Sequence, residues 1–221
     1  MSAHTHKRKG QRKRVEKLMF RDDSRPARIR LFRNEKLEEL TLVTPLIFAL
    51  TWVTVLAAAL YASWGSTSIG SAVLLVLLGL LVWSIFEYAM HRFIFHWKTT
   101  SRLGSALVFM AHGNHHADPN DPLRNLMPPL VSVGISGSIW ALLYLLLGPI
   151  GSVVFLGFGI GYVVYDSVHY ACHQKSIRWR VLRDLRRHHI RHHHAKQEGN
   201  YAITAIFWDW VFGTTIPAKK R

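Results

Sequence analysis

A single cysteine, Cys172, leaves the chain without an internal disulfide and without the thiolates of a Cys-based zinc site. It is expected to fill space as a small apolar residue. Acidic residues are scarce too, 13 Asp+Glu against 28 Lys+Arg. Such an excess suits nucleic acid, an anionic membrane surface or the cytoplasmic loops of a membrane protein. The places where basic residues are missing decide among these. No Lys or Arg occurs between Lys36 and Arg92, nor between Arg124 and Lys175. Both gaps are strongly apolar, so charge is segregated as in an integral membrane protein. A nucleic-acid binder would interleave it with its fold, and no nucleic-acid partner is expected. The N-terminus makes a poor signal peptide, because its charged region is long, the apolar segment after it is too long and no cleavage site is evident.

The 221 residues suit one domain of ordinary size. Residues 1–24 read as a basic arm, disordered, with His4 and His6 solvated. Residues 25–221 form the membrane-embedded domain. Within residues 25–40 charge alternates with Ile29, Leu31, Phe32, Leu37 and Leu40, a pattern able to lie along a membrane surface. Spans are expected at about 42–64, 69–90 (continuing to His96), 130–147 and 151–170, the last being short and ending in polar residues. Two hairpins result, each with an uncharged turn, at residues 65–68 and at Gly148-Pro149. By the positive-inside rule every basic segment, both termini and all histidine clusters fall on the cytoplasmic side. Gly157 and Gly161, and likewise Gly134 and Ser138, have the small-xxx-small spacing that lets membrane helices approach closely.

The chain is organised around residues 188–194, where five of seven positions are histidine. His189, His192 and His193 form HxxHH, placing imidazoles at i, i+3 and i+4 on one helical face. The same chemistry recurs as HxxHH at His112, His115 and His116, as HxxxH at His169 and His173, and as HxxxxH at His91 and His96. The last spacing leaves its rings about 140° apart on a straight helix, so that pair serves two different metals or the helix unwinds there. Ten imidazoles are too many for one ion. Five on each of two ions, with an open position left on each, is the natural division, and it differs from the closed four-ligand pattern of structural zinc. Glu87, four residues before His91, and Asp166, three before His169, are candidates to accept the second N–H of a ligating ring. His188 and His194 look like extras, and residues 207–210 like an aromatic interfacial anchor.

At these residues the chain resembles the fatty acid hydroxylase/sterol desaturase superfamily, and within it the fatty acid 2-hydroxylases of sphingolipid acyl chains. The likeness runs from Glu87-Tyr88 through His91 to His96, then His112-Gly113-Asn114-His115-His116 with Pro119, Asp121, Arg124 and Pro128-Pro129. It continues with Tyr165-Asp166, His169-Tyr170 and His173, and with His189 to His193 and Phe207 to Thr214. Arg30-Leu31-Phe32 and Leu37 to Leu40 resemble the lead-in, so about residues 25–214 are covered. The resemblance implies an all-α integral membrane fold, with four transmembrane helices in two hairpins and a cytoplasmic histidine-rich helical cap holding a di-metal centre. It implies two iron ions, replaceable by zinc in purified protein, and O₂ as co-substrate. A hydroxyl would be inserted beside the acyl carbonyl of a lipid drawn from the bilayer, with Tyr165 and Asp166 beside the substrate head. Some relatives carry a fused b-type cytochrome domain, for which this chain has no motif. A separate redox partner of cytochrome or ferredoxin type is therefore expected as electron donor. The rival substrates are sterols or carotenoids under the same chemistry, and the rival class is a non-catalytic membrane zinc-binding protein.

Overall fold

A computed structural model describes residues 28–218; the basic arm, with His4 and His6, lies outside the described residues. Capping starts the chain. The Asn34 carboxamide accepts from the N–H groups of Lys36 and Leu37 and opens helix α1, Glu35–Glu39. Glu38 is buried and accepts from the N–H groups of Leu31 and Phe32 at 2.9 Å each, folding the lead-in back onto α1. The Arg124 guanidinium closes on the same carboxylate and on Thr41, while Asp121, 3.9 Å from Arg124, also pairs with Arg28. Glu38→Ala would leave Arg124 with only Asp121 and Thr41. We expect a loss of about 2 kcal/mol, less than for a fully orphaned buried charge, measurable by thermal unfolding in detergent.

Four helices are long and apolar enough to cross a membrane, Pro45–Ala62, Ile69–Phe95, Pro129–Leu147 and Pro149–Gln174. Thr44 caps the first, α2 (Pro45–Ala62), with Pro45 in its first turn. Ser68 caps α3 (Ile69–Ala89), which continues as a π-helical turn over Met90–Phe95. Beyond the short helices α4 (Arg102–Val108) and α5 (Asn114–Ala117), α6 (Pro129–Leu147) and α7 (Pro149–Gln174) form the second hairpin. They are joined through Gly148, whose φ of +63° suits glycine. Helices α8 (Arg180–His194) and α9 (Phe207–Val211) complete the chain, and no strand occurs among the described residues. The four expected spans and their pairing agree with this architecture. The fourth is longer than hydropathy suggested, because Asp166 and His169 in its polar last turns are buried while the helix runs on to Gln174.

Helix α7 is the axis of the bundle, buried along most of its length, while α2, α3 and α6 expose apolar faces suited to hydrocarbon. Its closest approach is to α3, where backbone meets backbone. A Cβ on Gly79 would stand 2.0 Å from the Val154 carbonyl oxygen, and one on Gly157 2.0 Å from that of Val76. A Cβ on Gly161 would stand 2.6 Å from the Trp83 side chain. The small-residue spacing thus marks a real crossing on α7. At Gly134 the same spacing marks none, since no atom lies within 4 Å of a Cβ built there. Beyond this crossing an aromatic layer forms, with Trp52 and Tyr162 ring centroids 4.4 Å apart and Trp83 edge-on to Phe158 and Tyr162. Cys172 is fully buried, as a small apolar residue would be.

Candidate metal centre

The layer of histidines begins where α3 changes its winding. In the π-helical turn Met90–Phe95 the His96 N–H donates to the His91 carbonyl at 3.2 Å, an i+5 bond. Residues five apart then share a face, so His91 and His96 turn to the same place. Of the two alternatives posed by their spacing, the structure shows the unwound helix. A second π-helical turn, Phe109–Gly113, delivers His112, and α5 carries His115 and His116.

All ten histidines of the four motifs converge in two groups of five. His91, His96, His112, His116 and His192 form the first, and His115, His169, His173, His189 and His193 the second; within each, the facing ring nitrogens all lie within 4.8 Å of one another. Each HxxHH motif is therefore divided. In α5 and its lead-in, His112 and His116 face one group and His115 the other; on α8, His192 separates from His189 and His193. The groups abut, since the His116 and His193 rings stack at 4.2 Å.

The donor arrangement fits an ion in each group. Nε2 atoms line up in the first at 3.0 Å (His91–His112, His112–His116, His116–His192) and 3.1 Å (His192–His96). In the second the separations are 2.9 Å (His169–His115), 3.0 Å (His115–His193, His193–His189) and 2.8 Å (His189–His173). Nitrogens bound to one metal at about 2.1 Å and at right angles stand about 3.0 Å apart. Three rings show which nitrogen is available. Nδ1 of His91 donates to the Tyr201 carbonyl at 2.5 Å, that of His192 to Gly199 at 2.7 Å, and that of His169 to Asn125 at 3.0 Å. Their Nε2 atoms are consequently bare lone pairs turned towards the other rings of their own groups, where a cation would satisfy them.

Burial keeps these rings neutral, as ligands must be. It holds His96 down at about 4 and His116 at about 3, with the neighbouring His192 reinforcing both, and pushes His112, His115 and His189 well below the ordinary value. In the unfolded chain they return to about 6.5, so below that pH the unfolded state binds more protons and stability falls with pH. Metal-free protein should therefore lose thermal stability progressively from about pH 6.5 down to about pH 3 and be insensitive to these groups above about pH 7. A series of melting curves in detergent checks this.

The carboxylates act less directly than their sequence positions suggested. Glu87 does not accept from the His91 ring; it takes the N–H groups of Ile203 and Thr204 and the Thr204 hydroxyl. Asp166 Oδ1 stands 4.0 Å from His169 Nδ1, beyond hydrogen-bond reach, while Oδ2 accepts from the Met127 N–H and the Tyr162 hydroxyl. Backbone carbonyls took the places expected for carboxylates, and nothing in a sequence marks a carbonyl for such a role. His188 is no extra, being buried with Nε2 2.9 Å from the Asp209 carboxylate, whereas His194 is exposed. In the aromatic run Trp210 is exposed as an anchor would be, but Asp209 is fully buried. Tyr165 and Asp166 both line the cavity beside the second group.

The fatty acid hydroxylase family profile matches residues 76–214, which contain all ten histidines of the four motifs. A dihydroceramide fatty acyl 2-hydroxylase of Arabidopsis thaliana is 33% identical over 193 residues, 86% of this chain and 81% of that protein. A fatty acid 2-hydroxylase of Homo sapiens is 36% identical over 151 residues, 66% of this chain and 41% of its own length. The chain thus spans well under half of that relative. The fold is similar to the hydroxylase domain visible in a structure of full-length Scs7p, with a TM-score of 0.78 and 31% identity over 86% of this chain and 72% of that one. With the family profile laid over its metal-ready histidines and a related fold around them, this chain belongs to the fatty acid hydroxylase family.

Proposed function

We propose that the protein is a membrane-bound, O₂-dependent hydroxylase of lipid acyl chains, acting at the 2-position, with one iron ion in each histidine group. One observation carries this reading. A cavity of about 360 Å³ joins both groups to an apolar wall. His112 of the first group and His115 and His169 of the second line it, together with Leu31, Phe32, Leu40, Leu107, Leu130 and Val131. A site that holds redox metal against an apolar cavity is built for a chain with little polarity of its own. The relatives support the position, being named as 2-hydroxylases of fatty acids and of dihydroceramide fatty acyl chains.

Bound iron supplies the reduction of O₂ and the oxidation of a C–H bond, placing one oxygen atom in the lipid and the other in water. The chain supplies the rest. Its ten neutral imidazoles hold the ions, and its apolar cavity excludes water and aligns the acyl chain. Tyr165 and Asp166 stand at the substrate head, Asp166 being fixed through the Met127 N–H at 3.0 Å and the Tyr162 hydroxyl at 2.9 Å. Tyr165→Phe should leave metal content unchanged and reduce kcat/KM roughly ten-fold, the worth of one lost hydrogen bond. Lys98, Arg102, Lys175 and the arginines of α8 surround the metal end, while residues 63–68 and Gly148 at the other end carry no charge. That distribution supports a cytoplasmic site, met there by a separate electron donor of cytochrome or ferredoxin type.

The test is mass spectrometry of hydrolysed total lipids from cells expressing the chain. New 2-hydroxy fatty acids are expected. A hydroxylated sterol or carotenoid in their place would overturn the substrate.

A further inference from the structure

The segment after α8 is held more completely than any surface loop requires. From Asn200 to Thr204, five consecutive backbone N–H groups are all engaged. Asn200 donates to the Thr214 carbonyl, Tyr201 and Ala202 to the Asp209 carboxylate, and Ile203 and Thr204 to the Glu87 carboxylate, at 2.6–2.9 Å. Asp209 is fully buried and is shared with the His188 ring at 2.9 Å and the Thr214 hydroxyl at 2.7 Å. The Asn200 side chain donates to the His188 carbonyl and accepts from the Ile216 N–H. Backbone conformation adds to the constraint. Asn200 sits at a φ of +54°, and a Cβ on Gly199, whose φ is +149°, would stand 2.3 Å from the Thr214 carbonyl oxygen. With its N–H groups fixed, the segment turns two carbonyls to the histidines: Gly199 to His192, and Tyr201 to His91.

Both of those rings belong to the first group. In the second group the one ring nitrogen seen donating away from the site is that of His169, and its acceptor, the Asn125 carbonyl, lies on a different part of the chain. We infer that Asp209 and Glu87 are positioning residues for the first metal site alone, fixing the tautomer and angle of His91 and His192 through the carbonyls of residues 199–201. This rests on reading the two groups as metal sites. An N–H held by a fixed acceptor makes the other ring nitrogen a better and better-aimed donor, and losing such a partner weakens metal binding about 10–100-fold. Neither carboxylate touches an ion in this arrangement, so the effect is transmitted through backbone.

Cobalt(II) titration of the metal-free full chain in detergent, followed by its visible absorption, separates the two questions. Native protein should bind two equivalents; one or none would overturn the metal-site reading itself. His189→Ala leaves the first group as the intact one, and His192→Ala the second. Asp209→Asn combined with His189→Ala should weaken the remaining site about 10–100-fold. Combined with His192→Ala, it should leave the remaining site within about three-fold. Equal weakening in both backgrounds, or none in the first, would overturn the inference. Where Asp209→Asn does not give monodisperse protein, Glu87→Gln is read in the same two backgrounds with the same expected outcomes. A purely structural defect would lower both sites together.

Discussion

His192→Ala should remove one of the two metals and lower hydroxylation more than about a hundred-fold, beyond the range for loss of an outer hydrogen-bond partner. His192 Nε2 stands between two other donors, 3.1 Å from His96 and 3.0 Å from His116. Its removal interrupts the row of nitrogens in the first group and also frees the Gly199 carbonyl that its Nδ1 holds. The second group shares no ligand with the first, so its ion should stay. Metal analysis of the purified variant should give one ion per chain where the native protein gives two. Two ions retained with activity lost would show that His192 acts in some other way.

Gly157→Leu should be the most damaging substitution away from the histidines. The Cβ alone would overlap the Val76 carbonyl oxygen at 2.0 Å, and that neighbour is backbone, so no rotamer change relieves it. Helices α3 and α7 would have to separate along the crossing that carries His91 at the end of one and His169 near the end of the other. Overpacking of a core ordinarily costs about 1–3 kcal/mol; a backbone clash in the central helix pair should exceed that range and prevent recovery of monodisperse protein. Gly134→Ala is the matched control. It lies on a membrane helix with open space at its Cβ, and the better helix propensity of alanine makes it neutral or slightly stabilising. If both variants behaved alike, close packing at Gly157 would not be what holds α3 to α7.

What could be read in advance follows the range of the interactions concerned. Hydropathy and the gaps in Lys and Arg located four spans, because burial in hydrocarbon depends on local composition alone. The histidine motifs announced ten imidazoles able to gather as two groups of five, because i, i+3 and i+4 spacing is a local property of a helix. The division of each HxxHH between two groups was not legible, since it depends on how α5 and α8 face each other across the centre. The i+5 pair His91 and His96 posed a question that only the π-helical turn answered. Asp209 and His188 looked incidental because their partners lie far along the chain. The carbonyls of Gly199, Tyr201 and Asn125 carry no side-chain signature at all.

The most direct measurement is oxygen-isotope incorporation by purified, iron-loaded protein given a lipid acyl substrate and a working reductant. Under ¹⁸O₂ in ordinary water, the product should be a 2-hydroxy acyl chain carrying heavy oxygen in its hydroxyl group. Under ordinary O₂ in H₂¹⁸O, the label should be missing from that hydroxyl. Label drawn from water, or no oxidised lipid from protein shown to hold both irons, would contradict O₂-dependent acyl hydroxylation at this centre.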